Sequence, residues 1–169
     1  EMNDTVQRSR VVTWQDPSST GSKAGQISGM EFFSKLLSGE LPPPPVIELL
    51  GARLESVEPG KAVFSLEPAE FHYNPIGVVH GGILATMLDS AVGCAIHSAL
   101  PAGIAYTTLE LKVNYLRATT IRTGRITAAG EAIHVGRQSA VAEGRICDPA
   151  GKLVATCSTT CLLFPAKTP

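Results

Sequence analysis

A single carboxylate stands in the apolar centre of this sequence. Between residues 71 and 109, Asp89 is the only residue with a formal charge. It lies within residues 83–96, which are otherwise apolar or small. Burying an unpaired carboxylate costs several kcal/mol, so we expect Asp89 to face a site that is open to a ligand. There it can act as a nucleophile or as a general base for a water molecule.

A glycine pair precedes this acid at the predicted start of the same helix, in the sequence His80-Gly81-Gly82. Glycine lets a ligand approach the backbone closely. The free N–H groups and the dipole of a helix start favour a developing oxyanion. Because eight helical residues span ~12 Å, no single carbonyl can contact both Gly81 and Asp89 of one helix. A shared site therefore predicts two chains, with their helices antiparallel.

Each candidate residue also has a purely structural interpretation. Asp89 can accept a hydrogen bond from a core Ser, Thr or backbone group, His80 can cap the helix, and the glycine pair can allow tight helix packing. Asn74 before proline is typical of a turn, and Thr108 alone is an ordinary strand residue. No His, Cys and Asp cluster has metal-ligand spacing, so we predict no metal site. The remaining histidines are interpreted as structural: His72, His97 and His134.

The elements that must position these residues follow from the hydrophobic period. Residues 81–99 have the period of a helix, and small residues fill most of its other positions, which predicts a helix covered on nearly all sides. A hairpin precedes it, with strands at 46–57 and 61–66. Four strands follow, starting with 106–115, and are predicted as an antiparallel meander: 106–115, 122–134, 137–147 and 152–164. The predicted fold class is α+β, an antiparallel sheet wrapped around one long central helix.

The N-terminal quarter has a different character. Residues 1–27 are polar and predict an extended or poorly ordered arm. Ser28 can cap a short amphipathic helix with Phe32 and Phe33 on its apolar face, and a stiff proline spacer follows at 41–45. We therefore expect two parts, an N-terminal arm over 1–45 and the main domain over 46–169.

Composition limits the function classes. The chain has 169 residues, 44% of them hydrophobic, and a formal net charge of −1 without a basic run, which argues against nucleic-acid binding. The longest apolar stretch is interrupted by Asp89 and His97, and this argues against a membrane span. We find no secretory signal pattern. The four cysteines form no CxxC pair and are typical of a reducing compartment, so we expect a cytoplasmic protein.

The segment from Asn74 to Asp89, with its Asn, His-Gly-Gly and Asp spacing, resembles hotdog-fold acyl-CoA thioesterases of the phenylacetate-degradation (PaaI-type) group. The resemblance extends over about residues 47–164. It implies that the Gly81 N–H and Asn74 bind the thioester carbonyl. Asp89 of the partner chain would attack or activate water, Thr108 would hold that water, and His80 would orient the loop or assist near the leaving sulfur.

The same resemblance implies the remaining expectations. Arg117, Gly136 and Arg137 would contact the CoA nucleotide, and no cofactor would be needed because CoA is part of the substrate. The chain would form homodimers, often paired into tetramers, that hydrolyse an acyl- or aryl-CoA. A hydratase or dehydratase of the same fold is the first alternative, although the dehydratase pattern His-Phe-Pro-Gly is absent. A non-catalytic acyl-CoA-binding protein is the second, and the presence of Asp89 disfavours it.

Overall fold

The computed structural model describes residues 6–166, so residues 1–5 of the predicted arm and residues 167–169 lie outside the described residues. Two short 3-10 turns, Glu70–His72 and Ile121–Thr123, accompany the regular elements. These elements are α1 (Ser18–Gly21), α2 (Gly29–Leu37), α3 (Pro45–Leu50), β1 (Ala52–Glu58), β2 (Lys61–Leu66), α4 (Gly81–Ser98), β3 (Ile104–Tyr115), β4 (Ile126–Val135), β5 (Ser139–Cys147) and β6 (Leu153–Pro165).

The six strands form one antiparallel sheet around α4, which confirms the predicted hotdog fold class. Their order is β1-β2-β4-β5-β6-β3. The predicted four-strand meander is wrong in one respect, since β3 pairs with β6 and not with β4. Alternating side chains identify a strand but not its neighbour. Here α4 carries the chain from β2 to the far side of the sheet, where β3 matches β6 along its whole length, from Ile104 opposite Pro165 to Tyr115 opposite Ala155.

Helix α4 is the centre of the core. Six of its residues have no exposed surface: Met87, Leu88, Ala91, Val92, Ala95 and Ile96. Strand glycines allow the sheet to approach the helix closely. A Cβ at Gly130 would lie 2.4 Å from the carbonyl of Ala91, and one at Gly144 would lie 2.8 Å from Val92 Cγ1.

Within residues 6–166, no helix is long and apolar enough to cross a membrane.

The predicted strand over 46–57 is wrong in its first half, which forms helix α3. Pro45 occupies the first position of this helix, where its fixed φ fits and its missing N–H is not needed. Gly51 ends the helix with φ 72°, a left-handed conformation that glycine adopts without strain. The buried residues Ile47 and Leu50 are three apart, a spacing that suits a helix, and β1 begins only at Ala52.

The predicted helix after Ser28 is confirmed, because the Ser28 hydroxyl accepts a hydrogen bond from the Glu31 N–H and Phe32 and Phe33 are buried. The described part of the arm before it is only partly extended, which corrects the prediction for residues 17–27. Residues 6–16 lack regular structure, whereas α1 forms at Ser18–Gly21 and residues 20–27 pack near the end of α4. His97 Nε2 hydrogen-bonds the Ala24 carbonyl at 2.9 Å.

Candidate active site

A cavity of about 1250 Å³ lies between α4, β3 and the N-terminal segment. One wall is formed by α4 and β3, and Asp89 and Thr108 are part of it. The opposite wall comes from residues 21–37 and from the proline run with α3. The side chains of this N-terminal wall are mostly apolar, among them Phe32, Phe33 and Leu36. Asp89 is therefore a carboxylate on the surface of a large, mainly apolar cavity, as its isolation in the sequence predicted.

Asp89 and Thr108 are in direct contact. The Thr108 hydroxyl donates a hydrogen bond of 3.0 Å to Asp89 Oδ1, and both side chains are half-buried. Among the described residues, the second carboxylate oxygen of Asp89 has no hydrogen-bond partner. One oxygen is thus held in place while the other faces the cavity, which suits a general base or a nucleophile.

The start of α4 is organised by His80. The His80 Nδ1 atom accepts a hydrogen bond of 2.9 Å from the Gly82 N–H. His80 therefore caps the helix, as its structural interpretation predicted. The Gly81 N–H is in the first turn, where no helical carbonyl can accept from it. It has no partner elsewhere among the described residues. The Gly81 N–H is therefore the donor that remains for a ligand.

Tyr115 fixes the position of Gly81 and was missed by the sequence analysis. Its hydroxyl donates a 2.9 Å hydrogen bond to the Gly81 carbonyl, and a Cβ at Gly81 would lie 3.0 Å from the Tyr115 ring. The strand that carries Tyr115 was predicted, but the helix end that Tyr115 meets was not. A side chain at position 81 would therefore crowd Tyr115.

Asn74 lies in the loop that leads into α4. Its side-chain oxygen accepts hydrogen bonds from the Ile76 and Val78 N–H groups at 3.2 and 3.3 Å. This turn is tied to the helix start, because Tyr73 bridges Val79 and the His80 N–H donates to the His72 carbonyl. With its oxygen engaged, Asn74 keeps its amide N–H₂ group as a donor without a partner among the described residues.

The two halves of the predicted site are apart within one chain. Gly81 contacts Tyr115 at the end of β3, whereas Asp89 contacts Thr108 in the first half of the strand. Eight helical residues separate Gly81 from Asp89, about 12 Å along the axis. The described chain therefore does not bring the oxyanion donors and the acid around one carbonyl.

The predicted CoA-contacting residues are also apart from each other and from the cavity wall. Arg117 is exposed just beyond the end of β3. Arg137 is exposed in the β4–β5 turn, where the Gly136 N–H donates to the Ser139 carbonyl. Since Ser139 is opposite Leu162 and Leu162 is opposite Thr107 of β3, the two arginines mark opposite ends of β3.

The buried histidines have the structural roles that were predicted for them. His72 uses both ring nitrogens, with the Ala69 N–H at 3.0 Å and the Leu50 carbonyl at 2.8 Å. Burial lowers the pKa of His72 and that of His97, so both rings are neutral at pH 7. Among residues 6–166, no group of His, Cys, Asp and Glu side chains could hold a metal ion.

Comparison with known proteins identifies the family of the chain. Residues 76–155 match the family described as the thioesterase superfamily. The 1,4-dihydroxy-2-naphthoyl-CoA hydrolase of Listeria monocytogenes is 33% identical over 120 residues, which are 71% of this chain and 94% of that enzyme.

Solved structures give the same result. A phenylacetic acid degradation-related protein of Ralstonia eutropha superposes with a TM-score of 0.70 at 31% identity, covering 77% of this chain and 98% of that one. The PaaI protein of E. coli reaches a TM-score of 0.71 at 22% identity over 84% of this chain and 99% of that one, and so supports the fold alone.

Proposed function

Because this chain belongs to the thioesterase superfamily, we propose that it is the hydrolase of an acyl- or aryl-CoA thioester, which it cleaves to the free acid and CoA. One observation carries this proposal. Asp89, with one oxygen held by Thr108 and the other free, lies on the wall of an apolar cavity. Such a cavity can hold the acyl group while the carboxylate meets the thioester carbonyl.

The reaction needs a new C–O bond and the loss of the C–S bond. If Asp89 is the base, it takes a proton from water as the water oxygen attacks the carbonyl carbon. The tetrahedral intermediate then collapses and expels the CoA thiolate, which the proton neutralises. If Asp89 is the nucleophile, its carboxylate attacks and forms a mixed anhydride with loss of the thiolate, and water hydrolyses the anhydride. Protein acylated at Asp89 after rapid quenching would select the second route.

The oxyanion donors of this reaction are proposed to be the Gly81 N–H and the Asn74 amide. Both lack partners among the described residues and both belong to the region where α4 begins. Preorganised donors of this kind stabilise the charge that develops on the carbonyl oxygen. His80 caps the helix and is proposed thereby to orient the Gly81 N–H or to assist near the leaving sulfur.

A homodimer that pairs its β3 strands is proposed to complete the site. Strand β3 is twelve residues long and forms one edge of the sheet, with Leu109 60% and Tyr115 52% exposed. A long open edge is a template for pairing with another strand. Antiparallel pairing of two β3 edges would bring the Tyr115 and Gly81 end of one chain towards the Thr108 and Asp89 region of the other.

The same pairing supports the proposed CoA contacts. Arg117 of one chain and Arg137 of its partner would approach each other, although they are apart within one chain. They would provide charged donors for the phosphates of CoA, and Gly136, whose N–H is engaged with Ser139, would contact the nucleotide by the close approach of its backbone. We further propose that dimers pair into tetramers, and that the reaction requires no cofactor beyond the CoA of the substrate.

The remaining proposals concern organisation and location. Cys94, Cys147, Cys157 and Cys161 are free thiols, which suits a reducing compartment and supports a cytoplasmic location. We also propose that the chain divides into an N-terminal arm over 1–45 and a thioesterase domain over 46–169. Limited proteolysis tests this division, and mass spectrometry of the fragments should show that the first cuts lie before residue 46.

Hydrolysis assayed over a panel of acyl- and aryl-CoA thioesters tests the function. Thiol release is followed with a chromogenic disulfide, and we expect turnover that disappears in the Asp89→Asn protein. Binding of the thioesters without any thiol release by the wild-type protein would support a non-catalytic acyl-CoA-binding protein instead. Loss of the substrate without thiol release would indicate a hydratase.

A further inference from the structure

Tyr106 is a cavity-wall residue to which the proposed reaction assigns no role. It lies on β3 two residues before Thr108, and both side chains line the same cavity as Asp89. Its ring centroid is 5.6 Å from that of His97. Gly93 makes room for its hydroxyl, since a Cβ at Gly93 would lie 2.9 Å from the Tyr106 oxygen. The hydroxyl is thus held against α4 within the cavity.

The Tyr106 hydroxyl has no hydrogen-bond partner among the described residues, unlike the hydroxyls around it. Thr108 donates to Asp89, and Ser90 donates to the Thr86 carbonyl at 2.8 Å. Buried polar groups are nearly always satisfied. Within residues 6–166, one side-chain oxygen is both buried from solvent and without a hydrogen-bond partner, and it belongs to Thr119, not to Tyr106. The Tyr106 oxygen is therefore not sealed in the core but open to the cavity that its side chain lines.

The Tyr106 hydroxyl keeps its proton. Burial raises its pKa well above the usual range, and the neighbouring Cys94, Cys161 and Asp89 raise it further. A neutral phenol can donate one hydrogen bond and accept another. It can therefore pair with a hydroxyl or an oxo oxygen of a ligand.

The position of this hydroxyl relative to Asp89 fixes which part of a thioester it can meet. Gly93 follows Asp89 by one helical turn, about 6 Å along the axis. With the thioester carbonyl at Asp89, the hydroxyl lies on the acyl side, further into the cavity towards α2. The nearby apolar side chains can surround a ring or a branched chain: Phe32, Phe33, Leu54 and Phe64.

We propose that Tyr106 determines acyl specificity, with its hydroxyl hydrogen-bonded to an oxygen of the acyl group. This inference rests on the proposed function. The substrate class that it identifies is a bulky, mainly apolar acyl or aroyl thioester with a hydroxyl or oxo group two to four bonds from the thioester carbonyl carbon. An acyl group without this oxygen leaves the phenol unpaired in an apolar cavity, and sites of that kind reject such analogues strongly.

Matched substrate pairs test the proposal in the wild-type protein and in Tyr106→Phe. The pairs are benzoyl-CoA with 3-hydroxybenzoyl-CoA and hexanoyl-CoA with 3-hydroxyhexanoyl-CoA. In the wild-type protein we expect kcat/KM to be about tenfold or more higher for the hydroxylated member of at least one pair. In Tyr106→Phe this preference should fall to about twofold or less, through loss on the hydroxylated member alone. The variant removes an oxygen with no partner among the described residues, so its fold should persist.

A second pair of variants separates specificity from structure. Gly93→Ala adds a Cβ against the Tyr106 hydroxyl and should reduce the same preference. Ser90→Ala removes a cavity hydroxyl that already donates to a backbone carbonyl, so it should keep the preference of the wild-type protein. Equal losses on both members of each pair in Tyr106→Phe would mean that Tyr106 serves the reaction itself or the fold, and would overturn the proposal. An unchanged preference would also overturn it. Absence of thiol release from every thioester in the wild-type protein would instead contradict the proposed function.

Discussion

The start of α4 and the turn that carries Asp89 are two regions of one helix with opposite designs. At the start, the Gly81 N–H has no partner among the described residues, while His80 accepts from the Gly82 N–H and Tyr115 donates to the Gly81 carbonyl. About two turns later the backbone is fully engaged in the helix, and a side-chain carboxylate held by Thr108 lines the cavity. The first region can bind an oxyanion and the second can attack or activate water. In the proposed reaction neither is sufficient alone, and the proposed dimer is what would bring them together.

The largest effect is expected at the acid. Asp89→Asn keeps the size of the side chain but removes its basicity and nucleophilicity. We predict that kcat falls by about 10²–10⁴, the range for a lost general base, with no change in the circular dichroism spectrum. Steady-state thiol release measures this.

Glu131→Gln is the matched control for charge, because Glu131 is an exposed acid whose nearest cation is Lys61 at 3.6 Å. It should turn over like the wild-type protein. Near-normal activity in Asp89→Asn would remove Asp89 from the reaction.

The helix start can be tested by removing one N–H group. Gly81→Pro deletes the proposed oxyanion donor at a position where helices accept proline. We predict a loss of about 10²–10³ in kcat, as for other oxyanion donors. Gly81→Ala is the control, since it crowds Tyr115 in the same way but keeps the N–H. Similar losses in both variants would point to packing against Tyr115 instead.

Mixing the two defective proteins tests whether the site is shared. A dimer of one Asp89→Asn chain and one Gly81→Pro chain has one site with both intact halves. If the two chains are mixed equally and exchange freely, half of the dimers are mixed, and one of the two sites in each mixed dimer is intact. The mixture should therefore regain about a quarter of the wild-type activity. Mixed dimers detected by native mass spectrometry that remain inactive would contradict the shared site.

The sequence predicts the positions of the acid and of the glycine pair in α4 better than it predicts the rest of the molecule. An isolated acid in an apolar helix and a glycine pair at its start are local signals, and the structure has both where they were predicted. Strand order is not a local signal, so the position of β3 beside β6 was missed. Helix α3 was missed because residues 46–50 form a short, mostly apolar run, and a run of that length occurs in both strands and helices. The contacts of Tyr106 with Gly93 and of Tyr115 with Gly81 depend on that strand order and could not be foreseen.

A smaller effect is expected at Thr108. Thr108→Val removes the hydroxyl that donates to Asp89 and leaves the shape of the side chain almost unchanged. A hydrogen bond to a charged group contributes about 1.5–3 kcal/mol, so we predict a loss of about tenfold or more in kcat.

Thr108→Ser keeps the hydroxyl and is the matched control, for which we expect most of the activity. The thermal midpoint of each variant reports whether packing has changed. If Val and Ser reduce turnover equally, the methyl contacts of Thr108 matter and its hydrogen bond to Asp89 does not.

The smallest effects are expected furthest from the acid, at the proposed nucleotide contacts. Arg117→Ala or Arg137→Ala should raise KM for the CoA thioester several-fold and leave kcat nearly unchanged, because a distant contact stabilises the bound substrate and the transition state alike. The effect should vanish with an N-acetylcysteamine thioester, which lacks the nucleotide. Arg125→Ala is the control, since Arg125 lies near Glu67 at 3.5 Å and has no proposed role. Equal increases in KM with the full and the truncated thioester would assign the two arginines to the fold or the subunit interface, and the CoA nucleotide would then have to bind elsewhere.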